Sequence, residues 1–193
     1  ANAAARSGTT DDYAFERAWR KILARGYEPD TGYTLVLPKA EPSRVRSMLA
    51  SLAPVDQDSI ELVICHDGKV YDGRFGNVGW MQELPDPVSK LTWDNALHLG
   101  PKLASEQELS HGDMVTLRAG DASIETVVMV MPGMAENSCS MTIGYGQGPE
   151  AGVIAEDAGF NLYPLRTSDG MHLRRKVSIT RTGETYPLAT TQD

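Results

Sequence analysis

The chain has 193 residues, with 18 Lys and Arg against 26 Asp and Glu, a formal net charge of −8 and a pI near 5.0. Hydrophobic residues at 41% and charged residues at 23% match a folded chain of one-domain size and exclude a wholly disordered one. The acidic balance argues against a nucleic-acid or anionic-membrane surface, and the longest apolar run, Val127–Met131, falls far short of the roughly 20 residues of a membrane span.

The first eight residues, Ala1–Gly8, are small and polar and lack the apolar core of a secretory signal. The missing initiator Met and the abrupt end at Thr190–Asp193 are expected of a segment cut from a longer chain. Within Asp11–Leu23, Phe15, Trp19, Ile22 and Leu23 recur at helical spacing. Acids in the first turn, bases in the last and Gly26 beyond them suit the helix dipole and its stop signal. Residues 1–32 therefore read as a linker and an amphipathic helix, whose apolar face must dock on this domain or on a neighbour.

Tyr33–Leu37 predicts a short strand stopped by Pro38. Pro42 suits the first turn of a second helix, with Val45, Met48, Leu49 and Leu52 as its apolar stripe. Ser59–Cys65 is again strand-like and leads into a turn at His66–Lys69. Residues 33–74 thus read as a strand–helix–strand segment.

From Phe75 the composition changes. A Pro- and Gly-rich stretch, Gly79–Pro87, precedes a strand at Ala96–Leu99 and a short helix from Pro101 with Leu103 and Leu109 facing inward. Met114–Arg118 and Ile124–Met131 read as a hairpin. Further strands are predicted at Met141–Ile143 and Asn161–Leu165, and a last hairpin joins Val177–Thr180 to Thr185–Leu188 across Arg181–Glu184. Several short strands with scattered helices predict a mainly β chain with flanking helices (α+β), closed into a barrel over residues 75–193.

Candidate chemistry is sparse. His66, His98, His111 and His172 show no metal-ligand spacing, and no nucleophile elbow, Walker loop or paired-acid signature occurs. Two cysteines exclude a disulfide-rich scaffold. Cys65 closes an apolar strand and is expected to be buried and inert, whereas Cys139, between two serines, is expected to be the more exposed. Met129 and Met131 read as core filler. Gly144–Gly148 reads as a turn after a strand, because it lacks the spacing and the following helix of a phosphate loop. Arg174–Lys176 reads as a solvated edge. Between Gln82 and Asp169 four bases (Lys90, Lys102, Arg118, Arg166) face thirteen acids, a net of −9 that opposes a multiply phosphorylated ligand.

Trp93-Asp94-Asn95-Ala96, Gly112-Asp113-Met114-Val115 and Pro132-Gly133 resemble the C-terminal dinucleotide-binding domain of molybdopterin oxidoreductases, which implies a double-psi β-barrel. A narrower match lies in Tyr71–Asn77, Gly79–Pro85, Lys90–Ala96, Gly159–Ser168 and the ending Leu188–Gln192. These are similar to the large, molybdopterin-oxidoreductase-like iron–sulfur subunit of bacterial alternative complex III, and the likeness covers roughly residues 60 to 193. It implies electron transfer from quinol, Tat export to the periplasmic face of the cytoplasmic membrane, and packing against other domains of the parent chain and subunits of a membrane complex. Neither direct membrane insertion nor nucleic acid is implied.

The resemblance also implies that the iron–sulfur clusters belong to a cysteine-bearing domain downstream, so none is expected here. Its molybdenum enzymes meet the cofactor through a first barrel loop, often basic, and through a late Asn-x-Leu segment. Here the first loop is Trp80–Pro85, with an acid and no base, while Asn161-Leu162 keeps part of the later pattern. The expectation is a cofactor-free structural domain with no catalytic or metal-binding residue, and with Trp80 and Trp93 as packing residues and Asn161 as a turn residue. The alternative is a molybdopterin guanine dinucleotide-binding domain with Trp80, Gln82 and Asn161 at the cofactor. A third possibility is a free-standing barrel for an unrelated small ligand.

Overall fold

In the computed structural model, which describes residues 12–28, 31–52 and 58–191, the chain divides into two compact units, Ala1–Ala53 and Pro54–Asp193. The first unit holds the two helices expected, α1 (Asp12–Arg25) and α2 (Pro42–Ala50, with Pro at its start). Gly26 donates its N–H to the Ile22 carbonyl at 2.8 Å and closes α1. The strand expected at Tyr33–Leu37 does not form. A strand needs a ladder partner, and the described residues of this unit supply none.

The second unit is a closed six-stranded barrel. Its strands are β1 (Ile60–His66), β2 (Leu97–Leu99), β3 (Asp113–Ala119), β4 (Ala122–Val130), β5 (Ser138–Ile143) and β6 (Leu173–Thr185), in the order β1-β5-β2-β4-β3-β6. The β1/β5 and β2/β4 pairs are parallel and the other four antiparallel. This mixed, closed mainly β architecture with a few helices is the fold class expected. Closure leaves no free sheet edge, and it needs β1 as one of its strands, so the barrel begins before Phe75. The helices of this unit are α3 (Gly79–Glu83), within the Pro- and Gly-rich stretch, and α4 (Pro101–Glu106).

Period-two burial explains the closure. Val115, Leu117 and Ala119 of β3 and Cys139, Met141 and Ile143 of β5 point inward with Leu62, Ile64, Leu97, Leu99 and Val177. Leu162 and Leu165 are buried in the same core. β4 is buried on both faces: Val128 lies in the barrel core, while Val127 and Met129 form a second cluster with Leu91 and Ala96. Phe160 and Tyr186 pack on that second cluster, edge to face, with ring centroids 5.4 Å apart.

Three sequence expectations are corrected. The last hairpin is absent: β6 runs unbroken through Arg181–Glu184, pairing Val115 with Arg181 and Asp113 with Thr185. A register shift between Asp113 and Val115 absorbs two extra residues of β6 within the stretch expected to turn, and Arg181 Nη2 holds Asp113 Oδ1 at 2.7 Å. Asn161–Leu165 forms a short 3-10 turn at Tyr163–Leu165 rather than a strand. The two cysteines exchange roles: Cys65 is exposed, and Cys139 is fully buried with its Sγ 3.5 Å from the Glu61 carbonyl. Burial pushes the Cys139 thiol up to about 12.

Candidate functional site

Asp67, in the turn after β1, anchors the loops at one end of the barrel. Its Oδ1 accepts the N–H groups of Lys69 and Val70 at 2.8 and 3.0 Å, and its Oδ2 accepts the Thr142 hydroxyl at 3.2 Å. The turn carries Lys69 into the interior, where its Nζ donates to the Leu91 carbonyl at 3.0 Å. Burial lowers the Lys69 pKa, opposed by the charges of Asp67, Asp86 and Asp94. Burial also raises the Asp94 pKa, against the Tyr186 hydroxyl, which donates to its carboxylate at 3.1 Å. A cavity of about 20 Å³ lies among Asp67, Asp86, Asp94, His98 and Thr142, room for about one water. His98 Nε2 is buried without a hydrogen-bond partner, and burial lowers the imidazole pKa, with Asp86 opposing.

Asn95 ties two loops together. Its Nδ2 donates to the carbonyls of Thr142 and Phe160 at 2.7 and 3.0 Å, and its Oδ1 accepts the Phe160 N–H at 2.8 Å. The Asp-Asn pair of the sequence thus acts structurally, fastening the strand-β2 entry to the 159–161 loop. On the other side of that loop, the Trp93 N–H donates to the Gln82 carbonyl at 3.0 Å. Asn77 Oδ1 accepts the Ile154 N–H at 3.0 Å, so the loops on either side of α3 and the 153–159 loop converge.

Between them lies an open groove of about 390 Å³, lined by Trp93, Asp94, Val153, Ile154, Glu156, Asp157, Ala158, Gly159 and Tyr186. Three of these are carboxylates and none is a base. Trp93 holds φ +64° and leaves 39% of its surface exposed, so it is not the packed residue expected. Asp157 likewise holds φ +59°.

The three residues singled out for a cofactor do not meet at this groove. Trp80 is 83% exposed and lines none of it, contrary to its expected packing role. Gln82 is only 1% exposed, and its Nε2 donates to the Gly76 carbonyl at 2.8 Å while Oε1 lacks a partner. Asn161 accepts the Tyr163 N–H at 3.0 Å on its own side chain, an Asx turn leading into the 3-10 turn. The Gly144–Gly148 run is a packed turn, as expected. Gly146 (φ +65°) donates its N–H to the Ala158 carbonyl at 2.7 Å, and a Cβ there would strike the Phe160–Asn161 backbone.

Cations near these loops are engaged elsewhere. Arg74 forks onto Asp72, at 2.9 Å from Nε to Oδ1 and 2.7 Å from Nη2 to Oδ2, and holds that carboxyl down to about 2. Arg166 donates to the Met171 carbonyl at 3.0 Å. Among the described residues no cluster of three or more His, Cys, Asp or Glu is placed to hold a metal ion, and no helix is long and apolar enough to cross a membrane. No motif or spacing in the sequence marks Glu156, Asp157 and Tyr186 as site residues; the excess of acids over bases in this region is the one signal that points toward them.

A pterin dinucleotide carries a pyrophosphate and so needs donors or cations aimed at it. The groove offers three carboxylates instead, and the nearby bases are engaged. The residues lining this groove supply neither.

No family profile matches the chain, and no curated protein matches it. Among solved structures it is similar to acetylene hydratase from Pelobacter acetylenicus, at 15% sequence identity and a TM-score of 0.45, over 81% of this chain and 22% of that one. The chain therefore spans about a fifth of the length of that protein.

Proposed function

We propose that this chain is a cofactor-free structural barrel domain of a molybdopterin-oxidoreductase-like electron-transfer subunit, in a complex that passes electrons from quinol to an acceptor. The closed mixed barrel and the residue runs of the sequence resemblance support this reading. The observation that carries it is the open groove lined by Trp93 and Tyr186, whose charged side chains are Asp94, Glu156 and Asp157. Like charge at that position opposes a polyanion, so the domain serves its parent by holding neighbouring domains in place. The iron–sulfur clusters then belong to other parts of the parent, on the periplasmic face of the membrane.

Titration of the 193-residue chain with guanosine diphosphate at low salt, followed by calorimetry, tests this. The expected result is no saturable heat up to millimolar nucleotide. Micromolar binding would favour the alternative, a molybdopterin guanine dinucleotide-binding domain.

A further inference from the structure

A groove that repels a polyanion attracts a cation, and its aromatic lining narrows which one. Tyr186 is oriented by its hydroxyl on Asp94 and by its ring against Phe160, so it is a fixed wall. Trp93 lines the groove beside it. Glu156 and Asp157 line the same groove from an exposed loop, and no ion pair to either occurs among the described residues. At its rim Val153 is 90% exposed and Ile154 38% exposed.

We propose that this groove docks an arginine side chain on a basic segment of a partner protein. A planar guanidinium stacks on an indole or phenol face while its N–H groups fork onto carboxylates. A lysine ammonium is a compact, strongly hydrated charge that uses the aromatic face less well. A protein segment is the occupant because the groove is open to solvent, and the exposed Val153 and Ile154 offer apolar cover to residues flanking the arginine. The inference rests on the groove being unclaimed by a dinucleotide.

The test is a titration of the full chain with blocked tri-arginine, tri-lysine and tri-citrulline peptides, read by NMR at the indole N–H of Trp93, assigned with Trp93→Phe. Tri-arginine is expected to shift that signal saturably, more tightly than tri-lysine, and tri-citrulline to leave it unmoved. Glu156→Lys with Asp157→Lys, both at exposed positions, should weaken tri-arginine binding at least about tenfold. Asp121→Lys with Glu125→Lys, acids outside the groove, should leave it unchanged. Equal loss in the two double variants, equal binding of tri-lysine, or an unmoved Trp93 signal would overturn the proposal. A Trp93 shift on adding guanosine diphosphate would instead overturn the cofactor-free reading, so the two failures are separable.

Discussion

Asn95 and Phe160 exchange two hydrogen bonds across 65 residues of chain, Nδ2 to the Phe160 carbonyl at 3.0 Å and the Phe160 N–H to Oδ1 at 2.8 Å. The pair holds Phe160 where its ring meets Tyr186 and the groove takes its shape.

Asn95→Ala removes both bonds and the one to the Thr142 carbonyl, leaving partly buried backbone groups without that partner. Each net bond is worth about 1 kcal/mol and each orphaned group costs about 1–3 kcal/mol, so a loss of roughly 3–5 kcal/mol is expected. Urea unfolding of the variant measures it; a loss below about 1 kcal/mol would deny Asn95 this role.

Gly146 and Gly133 make a matched comparison, since both hold positive φ, +65° and +93°. An alanine Cβ at Gly146 strikes the Phe160–Asn161 backbone, whereas at Gly133 it meets open space. Gly133→Ala should cost about 1 kcal/mol of backbone strain, and Gly146→Ala several times that or the fold itself. Parallel denaturation curves, or soluble yield where Gly146→Ala does not fold, decide the ranking.

The exchanged cysteines predict a thiol count. One thiol per native chain, Cys65, should react with an aromatic disulfide reagent at pH 8, and a second only after unfolding. Cys139 keeps its proton to about 12 in the fold, while the unfolded thiol loses it near 9. The folded state therefore binds the extra proton over that interval, and stability falls as pH rises through it. Cys139→Ala should flatten the decline in urea midpoint between pH 8.5 and about 10.5.

His98 predicts the opposite slope on the acid side. Burial holds its pKa below 6.5, so as pH falls past that value the unfolded chain takes up a proton that the folded chain refuses. Stability should fall with acidification from there, and His98→Gln should lessen that loss. An NMR titration in which His98 ionises at an ordinary imidazole pKa would contradict it.

The barrel was legible where burial is periodic: β3 and β5 alternate cleanly, and the apolar run of β4 reflects its two covered faces. It was illegible where a tertiary partner overrides a local signal. Gly183 looked like a turn, but the register shift opposite Asp113 carries β6 through it. Tyr33–Leu37 had strand composition without a ladder to join. Cys65 closed an apolar run, yet β1's burial pattern ends before it, whereas the serines around Cys139 face away from its own inward position. For the groove, the acidic excess was visible along the chain, but which acids converge depends on the Ile154 N–H held by Asn77 Oδ1 and on the bonds between Asn95 and Phe160, contacts too distant in sequence for spacing to reveal.

On the proposed reading, acid at this groove keeps a dinucleotide cofactor out. The direct test is the pterin and molybdenum content of the polypeptide purified from the cells that make it, measured by the fluorescence of the oxidised pterin and by elemental analysis. Neither is expected above background; one pterin and one molybdenum or tungsten per chain would refute the cofactor-free reading.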